Sequence, residues 1–262
     1  MDKIKIAVKN IFEYFWKQQD DIPTGMGYPL FGAAHLLSVA VTLLLMIFLI
    51  FFILRLQNNK QRQFLKKLPV FMLGMEAFKD IFLVSVGRFG IGYLPLHICS
   101  IGIFVFLLRE WLPWKWAKDV LGEISYIIIM PASVAALLFA DWTVYYPVLN
   151  FMNLYSYIWH GLLVLYPVLL RLRGEISPSF RHIHYCLLFL CVVVPPVYVF
   201  DKHFGCNYFF VNWPVDNTPL SWMASFMGNP GYLLGYAGLT IGVILIIYLG
   251  IELKKTIAQN TM

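Results

Sequence analysis

Cys99 is the residue of this 262-residue chain with the best local setting for covalent chemistry. It closes the string Leu94-Pro95-Leu96-His97-Ile98-Cys99, and Pro95 suits the first turn of a helix, whose backbone donors are unpaired anyway. A thiol near a helix N-terminus sits where the macrodipole favours thiolate, the form that attacks esters. The plain alternative is a small cysteine that only packs, and residue type alone favours it. His97 lies two residues before Cys99, roughly 200° around a regular helix. On that geometry it shares a face with Ser100, and the base for the thiol should come from another helix.

Two polar sets on other segments need an explanation, because ionisable groups inside a membrane are costly. Asn153, Ser156, His160 and Pro167 fall at i, i+3, i+7 and i+14, a polar stripe on an apolar helix. Glu76, Lys79 and Asp80 share one face of a second helix, where Lys79 can pair with either carboxylate. That cluster reads equally well as a self-neutralising lock and as part of a polar pocket. His35 adds a further imidazole near the start of the first long apolar run. Together these types suit nucleophilic catalysis, in which Cys99 would attack and a histidine (His160 first, His35 or His97 next) would move the proton. Asn153 or backbone N–H groups would stabilise the oxyanion, with Ser156, Glu76, Lys79 and Asp80 lining the site. The competing class is a binding or transport protein with the same polar pocket and no catalysis, although no inverted repeat or paired broken helices are visible.

The elements that must position these residues follow from composition. Sixty per cent of the chain is hydrophobic and only 13% is charged, about half the charge of an ordinary soluble domain. That excludes a soluble enzyme and a nucleic-acid-binding face. The apolar runs are long rather than alternating, which selects membrane helices over a barrel. The fold class expected is all-α, a polytopic cell-membrane protein with seven spans: Ala33–Leu54, Leu68–Val86, Leu94–Leu108, Leu121–Ala140, Val148–Leu170, His184–Phe200 and Gly231–Ile251. Pro195-Pro196 should kink or end the sixth. Thirteen Lys and Arg fall in every second connection, against six on the other side. This places the N-terminus outside and the C-terminus in the cytoplasm. Residues 1–30 form an N-terminal interfacial segment, in which Ile4, Val8, Ile11, Phe12 and Phe15 share one face of an amphipathic helix. The membrane domain covers 31–253, and 254–262 is a tail.

Other signals are plain. The four cysteines carry no metal spacing, and neither a metal nor a cofactor is expected. A Cys99–Cys206 disulfide is geometrically conceivable. Gly231, Gly235, Gly238 and Gly242 read as close helix packing. The 201–230 connection, rich in aromatics, Asn, Pro and Gly, looks like an ordered cap.

Several strings resemble the YwaF / transmembrane protein 164 family. They are Leu94-Pro95-Leu96-His97-Ile98-Cys99-Ser100, His35 after Phe31-Gly32, Gly205-Cys206-Asn207-Tyr208-Phe209-Phe210, and Pro214 through Pro219-Leu220 to Gly228-Asn229-Pro230-Gly231-Tyr232. The likeness spans residues 28 to 250. It implies a multi-helix membrane protein, and in its animal branch phospholipid acyl transfer through a cysteine carrier. Carried over, that carrier is Cys99, and Asn207 and Tyr208 join the substrate-binding or oxyanion candidates. The partner implied is a membrane phospholipid or lysophospholipid. Nucleic acid is not expected, and the sequence names no protein partner.

Overall fold

A computed structural model describes residues 13–260. Among them the chain is helical, without strands. Eight helices follow one another. They are α1 (Ala33–Leu54), α2 (Asn58–Ser85), α3 (Ile98–Trp111), α4 (Lys115–Ile124, π-helical over Ser125–Ile129, then α-helical over Met130–Leu138), α5 (Phe151–Leu172), α6 (Ile183–Phe204), α7 (Pro219–Met227) and α8 (Tyr232–Asn260). Each of the seven expected apolar runs overlaps one of these helices without sharing all of its bounds, and α7 is an additional short helix. Four stretches are long and apolar enough to cross a membrane: Ala33–Leu54, Lys115–Val144, Phe180–Phe204 and Tyr232–Ile257. On α1, Leu37, Leu44, Phe48 and Phe51 are exposed. So large an apolar face is compatible with lipid and not with water. The chain is a membrane protein. The N-terminal amphipathic helix falls mostly outside the described residues.

Three boundaries differ from expectation. α2 begins ten residues early, so Lys60, Arg62, Lys66 and Lys67 stand on a helix rather than in a loop. Gln61 helps to close that corner, its amide donating to the carbonyls of Leu54 (3.1 Å) and Leu56 (2.6 Å). α3 starts at Ile98, not Leu94, because His97 is extended (φ −65°, ψ 150°). Pro95 therefore belongs to the turn before the helix. α6 runs through Pro195-Pro196 to Phe204 and stops at Gly205, whose left-handed φ of 64° only glycine adopts without penalty. A proline removes one N–H donor without forbidding the turns on either side, and membrane helices tolerate that loss.

The described residues form two compact units. The first comprises 13–61 and 133–165. Its centre is knitted by side chains that reach backbone. Asn150 donates to the carbonyls of Tyr14 (2.7 Å) and Lys17 (2.9 Å), and the Phe151 N–H donates to Phe15 (2.8 Å). Tyr146 donates to Gln18. Gly27 is essential to this knot, because a Cβ there would strike the Val144 carbonyl. The neighbouring Tyr28 N–H donates to Thr143 at 2.8 Å.

The second unit comprises 62–132 and 166–260. One end is pinned by ions. Glu110 accepts from Tyr166 (2.6 Å) and Arg109 (2.7 Å) and pairs with Arg62 (2.8 Å). Glu175 takes Arg173 (2.9 Å), Arg62 (3.1 Å) and Arg109 (3.1 Å). Nearby, Glu123 accepts from the Tyr248 hydroxyl (2.8 Å) and the Ser179 N–H (3.1 Å). Buried carboxylates supplied with this many donors are compensated for the loss of water.

Candidate functional site

In the first unit the expected stripe on α5 is built and engaged. Asn153, fully buried, accepts from the Tyr28 hydroxyl at 3.0 Å and donates to the Val148 carbonyl at 2.7 Å. The Ser156 hydroxyl turns back to the Met152 carbonyl (2.9 Å). The Ser156 carbonyl lies 2.7 Å from His160 Nδ1, which must therefore carry the proton. Nε2 is then the basic nitrogen, on a ring stacked flat against Trp142 (5.2 Å, 5°). A tautomer set this way presents a lone pair, as a general base requires. Tyr157, one turn from Asn153, edges against Trp142 and has its hydroxyl 3.5 Å from that of Tyr28.

His35 is committed differently. Its Nδ1 accepts from the Phe31 N–H (3.1 Å), so Nε2 carries the proton toward the Leu137 carbonyl (3.1 Å). Both ring nitrogens serve the backbone, and the ring holds Phe31 in a left-handed turn (φ 59°). That is a structural role, and no lone pair is left for a substrate.

In the second unit His97 and Tyr208 come together, next to Cys99 at the start of α3. Cys99 is the second residue of α3 and half-buried. The first N–H in α3 to find a helical partner is that of Ile101, which donates to His97 O at 2.9 Å. The donors of Ile98, Cys99 and Ser100 precede it, as they do at every helix start. Tyr236 of α8 packs against the same buried cluster, Tyr208 and Phe209 among it, as Ile98 and Ile101 of α3. His97 presents its ring to Tyr208 (4.8 Å) and Phe210 (5.6 Å). Because His97 is the extended cap and not a helical residue, the 200° separation from Cys99 does not apply.

The 201–230 connection is ordered, as the sequence implied. Asn207 accepts from the N–H groups of Asn212 and Trp213 (3.0 Å each) and donates to the Trp213 carbonyl (3.0 Å). It is therefore a scaffold for the loop. Phe209 and Phe210 both take left-handed backbone (φ 54° and 57°), a conformation that costs about 1–3 kcal/mol per residue. Tyr208 donates to the Ile91 carbonyl (2.6 Å) and Tyr232 to the Phe210 carbonyl (2.7 Å), which holds the strained pair in place. Burial, with the charges of Cys206, Asp201 and Glu76 adding to it, raises the Tyr208 phenol above its ordinary pKa.

Lys79 lies 2.8 Å from Glu76 and 3.1 Å from Asp80, so the cluster is at least in part the self-neutralising lock. The other cysteines have poorer settings. Cys186 is fully buried, Cys191 is exposed in mid-helix, and burial together with the Asp201 carboxylate pushes the Cys206 thiol upward. Cys99 and Cys206 are both free thiols, so the conceivable disulfide is not formed.

Sequence reasoning missed Tyr28, Trp142 and Tyr236. Tyr157 could have been found, since it falls on the Asn153–His160 face. The other three reach their partners from distant segments and leave no local signal.

The profile of the TMEM164 family matches residues 30–248. No curated protein and no solved structure matches the chain.

Proposed function

Taking as premise that the chain belongs to the TMEM164 family, we propose that it is a lipid acyltransferase or lipid ester hydrolase working through a Cys99 thioester. The observation that carries this reading is the place of Cys99: half-buried in the first turn of α3, with the capping His97 against Tyr208. The positive end of a helix dipole favours an anion at such a place, and backbone N–H groups of a first turn are the kind of donor that stabilises an oxyanion. The Asn153 amide is already committed to Tyr28 and Val148.

In the first half-reaction the Cys99 proton passes to a histidine and the sulfur adds to the ester carbonyl. The tetrahedral intermediate then expels the lysophospholipid alkoxide, which takes the proton back. In the second half, a lysophospholipid hydroxyl or water attacks the thioester and restores the thiol. His97, two residues from Cys99 and in the same unit, is the base in this proposal, and His97→Gln tests it. The other reading, a binding or transport protein, draws only on the Glu76–Lys79–Asp80 set, which is largely satisfied within itself.

The test is incubation of purified protein with a phospholipid labelled in its acyl chain. Hydroxylamine-sensitive label on the peptide containing Cys99 is expected. Label on another cysteine would overturn the assignment, and turnover without any thioester would overturn the mechanism.

The same proposal includes seven spans with the N-terminus outside, supported by the 13 to 6 distribution of Lys and Arg. Reporter fusions after Leu56 and after Asp216 should report the cytoplasm and the exterior respectively. Both on one side would reject the span count.

A further inference from the structure

α2 and the end of α3 border a shallow, open groove of about 630 Å³, lined by Gln63, Lys66, Lys67, Val70, Phe71 and Trp111. That volume is within the roughly 300–1,000 Å³ range of small-molecule sites. Gln63, Lys66, Lys67 and Val70 fall at i, i+3, i+4 and i+7, so a single helix face turns from polar and cationic to apolar within two turns. Lys66, Lys67, Val70, Phe71 and Trp111 are all exposed.

The charges here are unevenly satisfied. Arg62, on the same helix, is held by Glu110 and Glu175, and Arg109 by the same two carboxylates. Lys66 and Lys67 enter no ion pair among the described residues. Three guanidiniums share two carboxylates in the adjoining cluster, so the pair of ammonium groups stands beside further positive charge. An anion relieves that repulsion. An exposed tryptophan beside lysines is also the residue pattern of a membrane headgroup zone.

We propose that this groove binds one anionic phospholipid, its phosphate between Lys66 and Lys67 and an acyl chain along Val70 and Phe71, with the Trp111 indole at headgroup level. A soluble anion would answer the two ammonium groups and leave Val70, Phe71 and Trp111 uncovered. A phospholipid answers both halves. This inference stands independently of acyl transfer at Cys99.

The experiment uses the full-length protein reconstituted in phosphatidylcholine vesicles. A minor fraction of brominated phosphatidylglycerol or brominated phosphatidylcholine is added, and Trp111 emission is read as the difference between wild type and Trp111→Phe. Quenching should favour phosphatidylglycerol on the order of tenfold, and the preference should fall as salt is raised. Lys66→Gln/Lys67→Gln should abolish the preference. Lys66→Arg/Lys67→Arg should keep it, and so should Arg181→Gln/Lys254→Gln, which removes equal charge elsewhere. Equal quenching by the two lipids in the wild type would overturn the proposal, as would a preference insensitive to salt or surviving Lys66→Gln/Lys67→Gln. Displacement of phosphatidylglycerol by inorganic phosphate alone would reveal a site for soluble anions and overturn it as well.

Discussion

Cys99→Ser is expected to lower acyl transfer by at least about a thousandfold while the protein still inserts and folds. A cysteine is a few per cent thiolate at neutral pH and a serine hydroxyl is essentially un-ionised, so the variant loses its nucleophile and little else. The exchange of sulfur for oxygen removes no packing atom, and Cys99 is only half-buried, so thermal stability should change little. Cys186→Ser and Cys191→Ser should retain turnover. Cys186 donates to or accepts from Tyr248 at 3.5 Å, a contact that a hydroxyl can also make. The measurement is single-turnover transfer from a labelled phospholipid, with the melting temperature recorded alongside. A folded Cys99→Ser protein with wild-type turnover would exclude the thioester and favour the pocket-only reading.

Glu110→Ala is expected to destabilise the second unit by about 3–5 kcal/mol, the usual cost of breaking a buried ion pair from one side. The side chain is wholly buried, and three donors converge on it from α2, α3 and α5: Arg62, Arg109 and the Tyr166 hydroxyl. Removing the carboxylate strands the Tyr166 hydroxyl and leaves both arginines to Glu175 alone. Glu175 cannot replace it, being occupied by Arg173 as well as by the same two arginines. The check is denaturant or thermal unfolding in detergent micelles, and an unchanged midpoint would show the network to be dispensable.

The same network predicts a pH dependence. Burial pushes the Glu175 carboxyl upward, but the Arg173 hydrogen bond and the charges of Arg109 and Arg62 outweigh it. The net pKa lies below the ordinary carboxylate value. A depressed folded pKa contributes stability that is fully present above the unfolded value of about 4.3. That contribution disappears as pH falls through the folded value. Glu175→Gln should therefore flatten the loss of stability on acidification below about pH 4 and cost stability at neutral pH.

The sequence by itself determined that this is an all-helical membrane protein and where most of its apolar runs lie. α1 covers the expected Ala33–Leu54 stretch because the length of an uninterrupted apolar run is a local property. The polar face of α5 was equally legible, since Asn153, Ser156 and His160 are neighbours through the helical repeat alone. Cys99 near a helix start could be read from Pro95 and its surroundings.

What only the tertiary structure decided involves partners far apart along the chain. His35 looked like a candidate base until Leu137, 102 residues away, was found to accept from its second nitrogen. Asn207 looked like a ligand donor until its amide was found tying the loop to Trp213. The start of α2 was misjudged because Lys60, Arg62, Lys66 and Lys67 resemble a loop by charge. Arg62 is nonetheless held in a helix by Glu110 and Glu175. Propensity and periodicity act over one or two turns, whereas the state of a buried polar group depends on which distant donor or acceptor packing delivers to it.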